Sequence, residues 1–318
     1  MSQVIVLGDA CVDMVIRLPN YSLDTPDLTH SIPHLYGGGS GANVAVALAR
    51  LGVDVMMVGA VGDDGYGRWI QADLRQEGVD ERGVCPVRDA FTPMVMALIE
   101  PDGERLVVVW PPEGGAHLHL QAEAINLGWL TAAAWLHTTG MCLRASPARE
   151  AVLYGMAQAR KAGLTVSLDL NMRLELWGLD DETRQTFEQA IALADVVLGN
   201  AEEEIMPLTG ADSAEAGAQA LCHGTRMVVA RRGSQGALVA TPQETFCVPA
   251  FQVQVVNTLG AGDAFNGGFI AACLAKVGLK EAVRWGNGVA ALNISRDGAR
   301  SLPSLADLQQ MLDSNTSW

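Results

Sequence analysis

The chain has 318 residues, 49% of them hydrophobic and 18% charged; that is enough apolar material for one large α/β domain or two small ones, and it argues against a disordered chain. A formal net charge of -15 argues against a nucleic-acid binder, whose affinity rests on cationic contacts to phosphate. Cys11, Cys85, Cys142, Cys222, Cys247 and Cys273 form no CxxC pair, so free thiols and a reducing, cytoplasmic setting are expected, and no apolar run reaches the roughly 18 residues of a membrane helix.

The chain opens on the strand-like run Val4–Gly8, with no basic region before it, so no signal peptide is expected. Residues 43–51 read as a helix after the glycines of 37–41, Val55–Val61 as a strand and Tyr66–Glu77 as an amphipathic helix. Residues 164–170, 196–198 and 227–230 are further short, continuously apolar strands, each followed by polar or glycine-rich residues. Such strands separated by helices predict a three-layer α/β sandwich with a mostly parallel central sheet. Two stretches break the rhythm. Ile16–Tyr36 is rich in Pro, Asp, Ser and Thr, and Thr92–Trp110 reads as two strands around the turn 101–103. We read one domain over residues 1–318, with a small β lid drawn from segments of about 14–36 and 90–113. Gly236–Phe251 reads as a second hairpin.

The segment 257–267, NTLGAGDAFNG, carries the strongest chemical signal. Its glycines open a helix, whose first amides have no internal partner and sit at the positive end of the macrodipole. Asp263 lies in that first turn, where it could take a proton from an alcohol; the plainer reading is an N-cap. Phosphoryl transfer has a loose transition state, so a positioned carboxylate suffices as base. Residues 37–43, GGGSGAN, open another helix and let a ligand approach the backbone, with Asn43 as donor and acceptor. Asp9 and Asp13 follow the first strand, at the end of an open sheet where ligands bind, and carboxylates accept from sugar hydroxyls. Asp169, Asn171 and Arg173 follow one later strand and Asn200 and Glu203 another; oxygen ligands of this kind suit Mg²⁺. Arg231, Gly233 and Gly236 form a strand-to-turn segment suited to nucleotide phosphates or ribose. No GxxxxGK[ST] loop is present, so this is not a P-loop enzyme.

Together these segments resemble, in order and over nearly the whole chain, the ribokinase-like (PfkB) carbohydrate kinases. The resemblance implies ATP-dependent phosphorylation of a hydroxyl of a sugar or sugar derivative, with Mg²⁺. It implies Asp263 as general base and Gly260, Ala261 and Gly262 as an anion hole. Asp9, Asp13, Gly38, Gly39 and Asn43 would hold the substrate, with Arg173 for an anionic substituent. Asn200, Arg231, Gly233, Gly236 and Asn287 would bind the nucleotide, and Glu203 the metal. Two positions depart from the family pattern. Asn257 stands where many members have an Asp that helps bind a monovalent cation, so weak K⁺ dependence is expected. Ser40 stands where ribokinases carry Lys, which argues against ribose. A nucleoside kinase, using Tyr21, Tyr36, Phe91 or Trp110 to stack a base, and an inactive sugar-binding regulator are the other readings. The lid strands do not alternate apolar with polar residues, so a homodimer through the lid is expected; no nucleic acid or membrane partner is.

Overall fold

The computed structural model describes residues 3–19, 31–101, 104–111, 113–296 and 300–315. Tyr21 and residues 20–30 of the first lid segment lie outside them, as do Asp102 and Gly103 of the lid turn. The first part of the chain forms β1 (Val4–Leu7), β2 (Cys11–Arg17), β3 (His34–Gly38), α1 (Ser40–Arg50), β4 (Val55–Gly62), α2 (Gly65–Gln76), β5 (Asp80–Val87), β6 (Met94–Ile99) and β7 (Arg105–Trp110). Then come α3 (Leu127–Leu130), β8 (Trp135–Thr139), α4 (Ala148–Lys161), β9 (Thr165–Asp169), α5 (Leu174–Trp177), α6 (Asp181–Leu193), β10 (Val196–Asn200), α7 (Met206–Thr209), α8 (Ala214–Leu221) and β11 (Met227–Arg231). The hairpin β12 (Ala237–Ala240) and β13 (Thr245–Val248) precedes α9 (Ala261–Leu274), α10 (Leu279–Ile294) and α11 (Leu305–Ser314).

Nine strands form the central sheet in the order β13-β12-β11-β10-β9-β8-β1-β4-β5. All its pairings are parallel except those of β12 with β11 and with β13. The side-chain period of two divides each strand between two cores. Val4 and Val6 of β1 pack with Val44 and Leu48 of α1 and Phe269 of α9. Ile5 and Leu7 pack with Val152 and Met156 of α4 and Ile191 of α6. With both faces covered, continuous apolar strands are what the sheet requires. Among the described residues, no helix is long and apolar enough to cross a membrane.

Four strands form the smaller sheet, in the order β3-β2-β6-β7. The expected 92–110 hairpin is there as antiparallel β6 and β7, from Met94↔Trp110 to Ile99↔Arg105. β7 is its edge, and Leu106, Val107, Val108, Val109 and Trp110 are all exposed. Asp13 follows β1 but lies inside a second strand, β2, paired with Tyr36 of β3 and Val95 of β6. Helix α1 begins at Ser40 rather than Asn43. The reason is long-range: the amides of Ser40 and Gly41 donate to Asp9 Oδ2 and Oδ1 at 2.9 and 3.1 Å, so their capping carboxylate comes from another part of the chain.

Candidate active site

Two helix N-termini meet over the carboxyl ends of the central strands. Gly267 of α9 lies so close to Ala47 of α1 that an added Cβ would stand 2.4 Å from the alanine methyl, and this small-residue crossing brings the first turns of both helices together. Gly260 enters α9 with φ of 69°, a left-handed conformation that glycine adopts without steric cost. The Ala261 amide turns back to the Thr258 carbonyl at 3.3 Å. Among the described residues, the Gly262 and Asp263 amides have no protein acceptor, so these two, rather than Ala261, remain for an anion.

Asp263 faces α1. It accepts a hydrogen bond from Ser40 Oγ at 2.6 Å and another from Asn43 Nδ2 at 2.9 Å. Burial pushes its carboxyl up to about 7; the two hydrogen bonds oppose the shift, and Asp169 and Asp9 add to it. A carboxyl poised there can hold or release a proton near neutrality, which suits a general base. In β2, burial raises the Asp13 carboxyl to about 6, against the attraction of Arg300 and a hydrogen bond from Cys11. A Cβ on Gly38 would stand 2.5 Å from Asp13 Oδ1, so only glycine lets the carboxylate lie against the β3 backbone. Gly39, with φ of 92°, passes equally close to Ala10.

Beneath α9 lies a buried ionic network. Arg231 Nη1 and Nη2 donate to the two oxygens of Asp169 at 3.0 and 2.8 Å, and Nη1 also to Asn266 Oδ1 at 2.7 Å. Asn266 Nδ2 returns a bond to Asp169 Oδ2 at 2.6 Å. Burial works to raise the Asp169 carboxyl, but Arg231 and Asn266 hold it below the usual carboxylate range. Nη1 of Arg231 also reaches the Gly262 carbonyl at 3.3 Å, tying the first turn of α9 to β9 and β11. Next to it, Asn200 Oδ1 caps the amides of Glu202 and Glu203. Glu203 is exposed, whereas Glu204 is buried and accepts from the amides of Met172 and Asn200.

Asp263, Gly260, Gly262, Ser40 and Asn43 therefore share one cleft, which Asp13, Gly38 and Gly39 border from the smaller sheet. Asn200, Glu203, Arg231 and Gly233 follow along the carboxyl ends of β10 and β11, the usual ligand edge of an open α/β sheet. Several expected contacts have other work. Asp9 caps α1 and accepts from Thr139 Oγ1 at 3.1 Å, so both its oxygens meet protein donors. The fork of Arg231 meets Asp169, Asn266 and the Gly262 carbonyl. Asn287 donates to the carbonyls of Val248 and Pro249 at 3.2 and 3.0 Å, and Gly236 passes so close to the Val248 carbonyl that no side chain fits; both fix the loop after β13. Arg173 is left-handed at the start of α5, with φ of 48°. Arg300, which no motif signals, lies buried under Asn43.

A parallel sheet with two helix N-termini around a part-buried carboxylate, and a small second sheet beside them, is the scaffold of a ribokinase-like kinase. A fructokinase from Xylella fastidiosa with bound ATP superposes with a TM-score of 0.86, 26% identity and full coverage of both chains. A Vibrio cholerae fructokinase with fructose, ADP and calcium superposes with a TM-score of 0.82 and 34% identity, covering 98% of this chain and 99% of that one. A fructokinase of Vibrio alginolyticus is 31% identical over 322 residues, 98% of this chain and 99% of its own. Residues 1–305 match the pfkB family carbohydrate kinase. The chain belongs to that family and is a carbohydrate kinase.

Proposed function

We propose that the chain transfers the γ-phosphoryl group of ATP to a primary hydroxyl of a furanose sugar, with fructose as the lead substrate. The observation that carries this reading is the Asp263 carboxyl, raised to about 7 beside two open amides at the start of α9. The fructokinases among the relatives support fructose over other sugars. Asn43 and Asp13 hold hydroxyls, and Gly38 and Gly39 let the ring approach β3. Asp263 takes the proton of the attacking hydroxyl. A bond forms from that oxygen to the γ-phosphorus, the bond to the β,γ-bridging oxygen breaks, and ADP departs. The Gly262 and Asp263 amides face the charge on the transferring group, where fixed dipoles act most strongly.

The metal reading fits the donors present. Glu203 is an exposed carboxylate on a turn held by Asn200, and among the described residues no cluster of three or more ligating side chains gathers around it. That is the sparse protein share typical of Mg²⁺, which keeps waters and binds phosphate oxygens. When bound, Mg²⁺ would neutralise charge on the nucleotide phosphates. Gly233, left-handed with φ of 52°, borders the nucleotide side. Arg173 would meet an anionic substituent on the sugar. The smaller sheet acts as the lid of a single domain, and two copies pair through it.

The exposed Phe91–Trp110 pair, with ring centroids 6.1 Å apart, supports a second reading in which the lid stacks on the base of a nucleoside. An ADP-release assay with ATP and Mg²⁺ over fructose, ribose, 2-keto-3-deoxygluconate, aminoimidazole riboside and adenosine separates the two. Fructose is expected to give the highest kcat/KM; adenosine ahead of every sugar would overturn the sugar reading.

A further inference from the structure

The segment after α10 delivers an arginine into the floor of the site. Arg300 is 5% exposed at its side chain, and its Nη1 pairs with Asp73 Oδ2 of α2 at 2.6 Å. Its Nε donates to Asn43 Oδ1 at 3.1 Å. Among the described residues, Nη2 is buried without a hydrogen-bond partner, a cost that structures rarely carry away from functional sites. Gly37 covers the guanidinium so closely that a Cβ there would stand 2.3 Å from Nη1. The charge of Arg300 also bears on Asp13.

We propose that Arg300 is a positioning residue for phosphoryl transfer, one that occupies the oxygen of the Asn43 amide and so turns its nitrogen toward Asp263. The inference rests on Asp263 being the base. An amide can present either end, and its neighbours decide which. Guanidinium only donates, and an ionised carboxylate only accepts. With the amide reversed, NH₂ would face NH and carbonyl would face carboxylate. A protonated Asp263 lifts half of that penalty, because it can donate to a reversed Asn43 oxygen. Arg300 opposes the reversal in either state and so favours the ionised base. The groups bearing on Asp263 are Ser40 and Asn43 of α1, Asp9 after β1, Asp169 of β9 and Arg231 of β11.

The test is the pH profile of kcat/KM for fructose with ATP and Mg²⁺, which reports the free enzyme. In Arg300→Met the acid limb moves up by about half to one pH unit, giving a roughly three- to tenfold loss at pH 6 and little loss at pH 9. In an Asn43→Ala background Arg300→Met moves the limb no further, because no amide remains to orient. An unmoved limb overturns the proposal. So does an equal shift in the Asn43→Ala background, which would mean that the charge acts directly on Asp263 or Asp13. If melting curves show that Arg300→Met does not fold, the double variant Asp73→Ala/Arg300→Met, which removes the buried pair together and leaves no unpaired charge, gives the same readout, with Asp73→Ala alone as its reference: an upward shift supports the proposal and an unmoved limb overturns it. Asp263→Asn in the same assay separates the two levels. Retained turnover there removes the base itself, whereas lost turnover with an unmoved limb in Arg300→Met removes only the role of Arg300.

Discussion

Ser40→Ala isolates one of the two hydrogen bonds that hold Asp263 ionised. Ser40 Oγ donates to Asp263 Oδ1 at 2.6 Å in a part-buried setting, and the substitution leaves the backbone amide of residue 40 on Asp9. Hydrogen bonds to charged groups contribute about 1.5–3 kcal/mol, and each ~1.36 kcal/mol of preference for the ionised form is one pKa unit. Because the hydrogen bond is only part-buried, the lower end applies, and the limb should rise by about one unit. The sign follows from the role: the base works as a carboxylate, so activity is present above its pKa and lost as pH falls through it. Wild-type kcat/KM should therefore fall below a limb at about 7, and the variant should fall from about one unit higher. At pH 6, below both limbs, the variant should be about tenfold slower, and at pH 9 the two should nearly coincide. A coupled ADP-release assay at subsaturating fructose, from pH 5.5 to 9, measures this. A uniform loss at every pH would refute the reasoning, because it would mean that Ser40 acts on substrate binding or fold rather than on the ionisation of Asp263.

Asp169→Ala leaves Arg231 buried without its carboxylate and should lower stability by about 3–5 kcal/mol, read by urea unfolding at pH 7. Because the Asp169 carboxyl is held below its usual range, the wild-type pair should keep its contribution at neutral pH and lose it only as pH falls through that lowered value; a loss under 1 kcal/mol would show that the network does not anchor α9. On the lid, β7 offers an edge with Leu106 60% and Val109 51% exposed, so light scattering after size exclusion should give a dimer at micromolar concentration. Val108→Asp on β7 or Val95→Asp on β6 should yield monomer; a wild-type monomer, or a dimer indifferent to both changes, would place no interface there.

The central sheet was legible because its strands are buried on both faces, so runs such as residues 55–61 and 227–230 announce themselves without context. The hairpin at 92–110 was legible from its turn, and the α9 start from its glycines. β2 was not: Cys11–Arg17 mixes Asp and Arg into an apolar run, and its pairing with β6 bridges about eighty residues of chain. The protein partners of the site side chains were hidden in the same way. Asp9 resembles a sugar ligand by position, but it caps amides 31 residues away. Arg231 resembles a nucleotide ligand, but it meets Asp169 at a separation of 62. Arg300 meets Asn43 at a separation of 257, with no local pattern to mark it. Local chemistry in the sequence marked Asn43 and Asp263, which the fold brings together; their other partners come from parts of the chain that only the fold brings near.

The measurement that bears most directly on the account is ADP release from ATP and Mg²⁺ with fructose, wild type against Asp263→Asn, with melting curves to confirm that both fold. A positioned general base contributes about 10²–10⁴-fold, so kcat should fall by that factor while the melting temperature holds or rises, since an amide removes a carboxylate that burial disfavours. Turnover of Asp263→Asn within a few-fold of wild type would contradict the account.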